Sequence, residues 1–279
     1  MSRSGRPHPR PFPRGAGEGR ASSTTPHRRA FLQTAFAAAA TTTALGRARA
    51  FGDDGAFEPK ILLAGGVTGA ARASAPARWS AEVEKRTSAP ARRTPRLVKP
   101  TEPLLFDGPF AYWSGTAGLS ALSSVEVGAL RQFLALGGLL VVDDAEPDVG
   151  QFGKDARREL ARVIPDAAPV SVPTDHVLFR TFYLLKPARP YGRVAGPTTA
   201  DAILHAGQIR VLFLAHDLGG ALARNALGTW ELSVEPGGDA QREMAIRFAV
   251  NIALYAMTTN YKDDAVHAPF LLKRRASSP

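Results

Sequence analysis

Four short polar clusters, each directly behind an apolar run, carry most of the chemistry this chain could perform: Gly65-Gly66, Ser114-Gly115-Thr116, Asp143-Asp144 and His216-Asp217. Hydroxyl, imidazole and carboxylate together are the parts of a hydrolase, with Ser114 or Thr116 as nucleophile, His216 or His176 as base and an aspartate orienting it. The surrounding run Trp113-Ser114-Gly115-Thr116-Ala117-Gly118 does not match the Gly-x-Ser-x-Gly turn that exposes such a nucleophile. Carboxylates and imidazoles without thiolates also suit a divalent cation, for which Asp143, Asp144, Asp175, His176 and His216 are the candidate ligands. No spacing enforces that site, as a His-x-x-x-His pair on one helix face would, and no metal or cofactor is assigned. The glycine loop from Ala64 to Ala70 lacks the Lys-Ser/Thr ending of a phosphate cradle. Each cluster also has an ordinary structural role open to it: glycine pairs make turns, and an aspartate behind a strand caps the next helix. In the Pro173–Arg180 stretch, Asp175 reads equally well as a turn cap with His176 packed beneath it.

These clusters can meet only if the apolar runs before them are neighbouring strands ending on one rim. The runs Lys60–Ala64, Pro109–Gly115, Leu139–Asp144 and Ile209–Ala215 are apolar throughout, the pattern of strands buried on both faces. Helical signals alternate with them. One is a short piece around Trp79–Arg86. A second begins at a Ser123/Glu126 capping box, continues through Val127, Leu130, Phe133 and Leu134, and stops at Gly137-Gly138. A third runs from Lys154 to Val163 before Pro165, and a fourth places Met244, Phe248, Ile252 and Tyr255 at helical spacing. This order predicts an α/β fold, a parallel sheet covered on both faces, with a ligand crevice at its carboxyl rim. We read one α/β domain over residues 59–261 and a tail over residues 262–279. Trp230-Glu231 and the tail segment from Phe270 to Arg275 read as contact surface.

The formal charge of +10 is unevenly distributed: residues 1–50 hold nine of the 35 Lys and Arg but only Glu18 among the 25 acids. The remainder, 26 basic against 24 acidic residues, is close to neutral, which argues against a nucleic-acid partner. Residues 1–26, rich in Arg, Pro and Gly, are expected to form a disordered basic leader. Arg28 and Arg29, followed by Phe31 and Leu32, match the twin-arginine export motif, and the mild apolar segment Thr34–Leu45 is too short to span a bilayer. Ala48-Arg49-Ala50 supplies the small-x-small pattern cut by a signal peptidase. Residues 27–50 are therefore expected to act as a signal peptide, with the twin-arginine translocase as transient partner and a periplasmic or secreted product lacking a transmembrane helix. The chain has no cysteine, which removes thiol catalysis, disulfides and Cys-bound metals.

Several motifs together resemble the domain of unknown function 4159 family: the glycine pair after the first strand, "LLFDGPFAYWSG", "LSSVEVGALRQFLALGGLLVVDDA", "PTDHVLFRTFY", "HDLGG" and the closing "VNIALYAMTTNYKDDAVHAPFLLKRR". The likeness runs from Lys60 to Arg275. It implies a three-layer α/β/α sandwich, Rossmann-like and similar to class I glutamine-amidotransferase or flavodoxin domains. It also implies export or tethering and, because such proteins are often encoded with others of the von Willebrand A and MoxR type, a role in envelope assembly. Where such proteins commonly carry a Gly-His pair, this chain has Gly115-Thr116-Ala117-Gly118, and an Ala- and Arg-rich stretch separates its glycine loop from Trp79. The expectation is an exported, non-catalytic binding or assembly protein of the bacterial cell envelope with an envelope protein as partner. The alternative is a metal-dependent or hydrolytic enzyme working at the carboxyl ends of the strands.

Overall fold

The computed structural model describes residues 55–185 and 191–276, with side chains as far as residue 259. Arg28, Arg29, Phe31, Leu32, Ala48 and Ala50 lie outside the described residues. Seven strands form one sheet in the order β2-β1-β3-β4-β7-β6-β5. These are β1 Lys60–Leu62, β2 Leu97–Val98, β3 Phe110–Gly115, β4 Leu139–Asp144, β5 Val170–Ser171, β6 Asp201–His205 and β7 Gln208–Leu214. The five strands from β2 to β7 in that order run parallel, whereas β6 pairs antiparallel with β7 and β5 antiparallel with β6. The mostly parallel α/β sheet expected from the apolar runs is thus present. The β6–β7 hairpin, which turns at Ala206-Gly207, sits in a stretch whose sequence reads only as loop-rich.

Alternate residues along each strand serve two apolar clusters, the consequence of the two-residue period of a strand. Phe110, Tyr112, Val141, Leu212 and Leu214 join Trp79 and Val83 of α1 (Ala75–Thr87), Leu218 and Leu222 of α4 (Leu218–Leu222), and Phe248 and Ile252 of α5 (Gly238–Ala276). Ala111, Trp113, Leu140, Val142 and Val211 join Leu130 and Phe133 of α2 (Ser124–Ala135) and Phe152 and Leu160 of α3 (Gln151–Val163). Pro76 suits the first turn of α1, where no amide partner is needed. Trp79 then donates from Nε1 to the Ala249 carbonyl oxygen at 2.8 Å, which pins α1 to α5. The capping box opens α2 as its sequence requires, Ser123 accepting from the Glu126 amide and Glu126 from the Ser123 amide. α5 continues to Ala276, so the backbone stays helical beyond residue 261. Among the described residues no helix is long and apolar enough to cross a membrane.

Two features of this fold prepare the carboxyl rim. The chain leaves β1 through α1 to β2 on one side and returns to β3 on the other. That reversal parts the loops behind β1 and β3 and leaves a crevice at their carboxyl ends. Behind β3, the loop is held open by α3: Asp155 accepts from the Leu119 amide at 2.9 Å and Glu159 from the Leu122 amide at 3.0 Å. Arg158 and Arg162 neutralise those two carboxylates.

Candidate functional site

The crevice between the β1 and β3 loops measures about 290 Å³ and is lined by residues 65–71 and 114–118. Gly65, Gly66, Ser114, Gly115 and Thr116, all expected at the rim, meet here. Gly65 and Gly66 have φ of 61° and 87°, so the turn out of β1 is one that glycine adopts without strain. The two loops are tied by the Ala71 amide, which donates to Ser114 Oγ at 3.0 Å, and by the Ser120 amide, which donates to the Gly65 carbonyl oxygen at 2.9 Å. Among the described residues no ionisable side chain lines the crevice. Its polar groups are the hydroxyls of Thr68, Ser114 and Thr116 and the backbone of two glycine-rich loops.

The charged half of the rim is arranged otherwise. Asp143, the penultimate residue of β4, is fully buried: its Oδ1 accepts from the Leu218 amide at 3.0 Å, and its Oδ2 from the Gly219 amide at 2.8 Å and the Tyr112 hydroxyl at 2.6 Å. Gly219 is required at this point, because a Cβ there would lie 2.7 Å from the Tyr112 oxygen. Asp217, also fully buried, sits at φ 51° ahead of α4 and accepts from the Gly220 amide at 2.8 Å. Arg72 bonds both Asp217 oxygens, at 3.3 and 2.9 Å, and also reaches the Ala145 carbonyl and Glu146. Arg193 pairs through Nε with Asp217 Oδ2, the oxygen that Arg72 also holds. Burial, then the neighbouring Asp217 charge, push the Asp143 carboxyl up to about 7, against the opposing pull of its three donors. Burial and the Asp143 charge raise the Tyr112 hydroxyl well above its ordinary range.

The remaining candidates are dispersed. Asp144 accepts from the Glu146 and Gly153 amides, at 3.1 and 3.0 Å, and so caps the turn into α3. His216 is buried with Nε2 against the Pro197 carbonyl oxygen at 2.9 Å, and it lines a separate cavity of about 380 Å³ with Tyr191, Gln241 and Met244. Asp175 is exposed, while His176 faces the ring of Tyr255, whose hydroxyl accepts from the Ile209 amide at the start of β7. That places the pair by the amino end of β7, remote along the strand from Leu214 and His216. The turn role expected of Asp175 falls to His176, whose Nδ1 accepts from the Leu178 amide at 3.1 Å. Among the described residues no group of three or more His, Asp or Glu side chains is placed to hold a metal ion. The set Asp143, Asp144, Asp175, His176 and His216 is therefore not brought together.

Sequence reasoning missed the three side chains that govern the charged half: Arg72, Arg193 and Tyr112. Tyr112 could have been found, since it stands two residues before Ser114 on the same strand and so on the same face. Nothing local marks either arginine.

No curated protein matches the chain. The family model described as Domain of unknown function (DUF4159) matches residues 60–257, from the first residue of β1 into α5, and the chain belongs to that family.

Proposed function

We propose that this chain is a non-catalytic binding protein of the cell envelope, exported by the twin-arginine route, whose ligand or partner group enters the crevice between the β1 and β3 loops. The observation that carries the reading is the lining of that crevice: small side chains, hydroxyls and backbone, with the neighbouring charges already committed to one another. Catalysis needs an activated nucleophile or a positioned metal. Ser114 is instead bonded to the Ala71 amide, Asp143 to three donors and His216 to the Pro197 carbonyl. The two apolar clusters served by alternate strand residues support a three-layer α/β/α sandwich of the glutamine-amidotransferase-like or flavodoxin-like kind, whose ligands lie at this switch in strand order.

The purified full chain should hydrolyse nitrophenyl acetate, a nitroanilide and nitrophenyl phosphate no faster than buffer, with or without added Mg, Mn or Zn. A rate abolished by Ser114→Ala or Asp143→Ala would replace this reading with an enzyme. In cells, a photo-cross-linker at Gly69 should capture an envelope component, and Gly66→Trp should prevent capture. A cross-linker that captures nothing removes the binding role. Changing Arg28 and Arg29 together to Lys should leave the chain uncleaved in the cytoplasm, and normal export of that variant would end the twin-arginine assignment.

A further inference from the structure

The segment Ala223–Glu231, which follows α4, takes no part in the crevice or in the charged node. It folds back on itself: the Asn225 amide donates to the Thr229 carbonyl at 3.0 Å and the Glu231 amide to the Ala223 carbonyl at 3.1 Å. The Asn225 side chain then fixes the tip. Its Oδ1 accepts from the Leu227 and Thr229 amides, at 3.0 and 3.1 Å, and its Nδ2 donates to Thr229 Oγ1 at 2.7 Å. On this ordered tip Leu227 stands 88% exposed, the most exposed large apolar side chain among the described residues. A leucine held out on a rigid turn loses little further freedom on being covered, which favours binding.

At the base of the hairpin, three guanidinium groups surround Trp230. The centre of Arg224 lies 3.9 Å from the ring centroid, that of Arg242 4.3 Å and that of Arg78 5.7 Å, so the hairpin, α5 and α1 each supply one. Their charge is poorly balanced. Arg78 pairs with Glu82, but Glu82 also holds Arg86. Arg242 donates to the Ala221 and Leu232 carbonyls and Arg224 to that of Gly228, and among the described residues neither pairs with a carboxylate. The Nε atoms of all three are buried without a hydrogen-bond partner. Burial holds Arg78 and Arg242 below the usual arginine range against the pull of Glu82 on the first and Asp239 on the second, with repulsion from Arg224 adding to it. A cluster of like charges around an aromatic ring gains from a nearby anion.

We propose that the Ala223–Glu231 hairpin docks an acidic segment of a partner protein, whose carboxylates meet Arg224 and Arg78 while an apolar side chain between them packs on Leu227. Arginine and tryptophan beside an exposed apolar residue is the composition that interface centres favour. One leucine on a hairpin tip suits a peptide better than a lipid surface, which rewards several apolar side chains inserted together. This surface is independent of whatever the crevice holds.

The test uses the full chain and two fluorescent hexapeptides, Asp-Glu-Leu-Phe-Glu-Asp and Ser-Ser-Leu-Phe-Ser-Ser, with phosphatidylglycerol and phosphatidylcholine vesicles as a third arm. The acidic peptide should bind more tightly than the serine peptide and lose affinity as salt is raised. Leu227→Ser should weaken it roughly tenfold or more, the worth of one buried leucine, and Arg224→Gln by a similar factor. Since Leu227 is almost wholly exposed, its substitution leaves the fold intact even if Arg224→Gln loosens the hairpin. Equal binding of the two peptides, or no effect of Leu227→Ser, overturns the proposal. So does Leu227-dependent binding of phosphatidylglycerol vesicles without binding of the acidic peptide, which would assign the hairpin to a membrane surface.

Discussion

Behind β1 and β3 the carboxyl rim is a neutral, glycine-rich crevice, whereas the Asp143 and Asp217 node behind β4 and β7 is charged and bonded within itself, with His216 beyond it lining a second cavity. The two regions share a wall, since Ser114 lines the crevice and Tyr112, two residues earlier on β3, donates to Asp143. The contrast follows from what each kind of residue requires once covered. A buried carboxylate is tolerated only with donors or a counter-charge around it, so Asp143 and Asp217 draw in amides, a hydroxyl and two arginines until both are fully covered. Glycine, alanine and threonine make no such demand, and the switch in strand order leaves their loops apart. The carboxylates at these strand ends are therefore poor markers of a ligand site in this molecule, since Asp143 and Asp217 line neither cavity. The neutral loops beside them are better ones.

If the charged half is a structural lock, breaking it should cost far more than altering the crevice. Asp217→Ala takes the carboxylate from Arg193 and leaves Arg72 with Glu146 alone, and should destabilise by about 3–5 kcal/mol. Urea unfolding would measure this, and a loss under 1 kcal/mol would show that the pair is not holding the rim. Asp143→Ala leaves the Leu218 and Gly219 amides and the Tyr112 hydroxyl without their acceptor, for a loss of about 3 kcal/mol near pH 6.

The Asp143 loss should depend on pH in a direction opposite to that of an ordinary salt-bridged aspartate. Held up to about 7 in the fold against about 3.9 unfolded, Asp143 binds more protons folded than unfolded between those values. Its contribution is therefore greatest at low pH and is lost as pH rises through about 7. Comparing chain and variant at pH 5, 6, 7 and 8 should show the cost of Asp143→Ala shrinking toward pH 8, and a cost that grows instead would mean that the carboxyl is ionised throughout. Ser114→Ala, which removes the acceptor of the Ala71 amide and one of the ties between the crevice loops, should cost about 1 kcal/mol. Gly69→Ala, at which a Cβ would meet nothing within 4 Å, should change stability by less than about 0.5 kcal/mol. A large effect there would mean that the crevice is not the open region described.

How far the chain could be read without its structure divides along the same line. The apolar runs of β1, β3, β4 and β7, the Ser123/Glu126 cap and the helical spacing of Phe248, Ile252 and Tyr255 were legible because each depends on residues within a few positions of one another. Their alternation was enough for a mostly parallel α/β sheet and for a rim at which the glycine and serine clusters meet. β6 was not legible, since Asp201–His205 becomes a strand only by pairing with β7 across a two-residue turn. The role of Asp143 and Asp217 was hidden more deeply. Arg72 lies 145 positions from Asp217 in sequence, and Asp143 is 75 from the Leu218 amide. Sequence alone determined which residues could form the strands and which polar groups would follow them. Only the tertiary structure decided that the carboxylates would be consumed by distant partners while the glycine loops stayed open, because the burial of a charge is settled by everything packed around it and not by its neighbours along the chain.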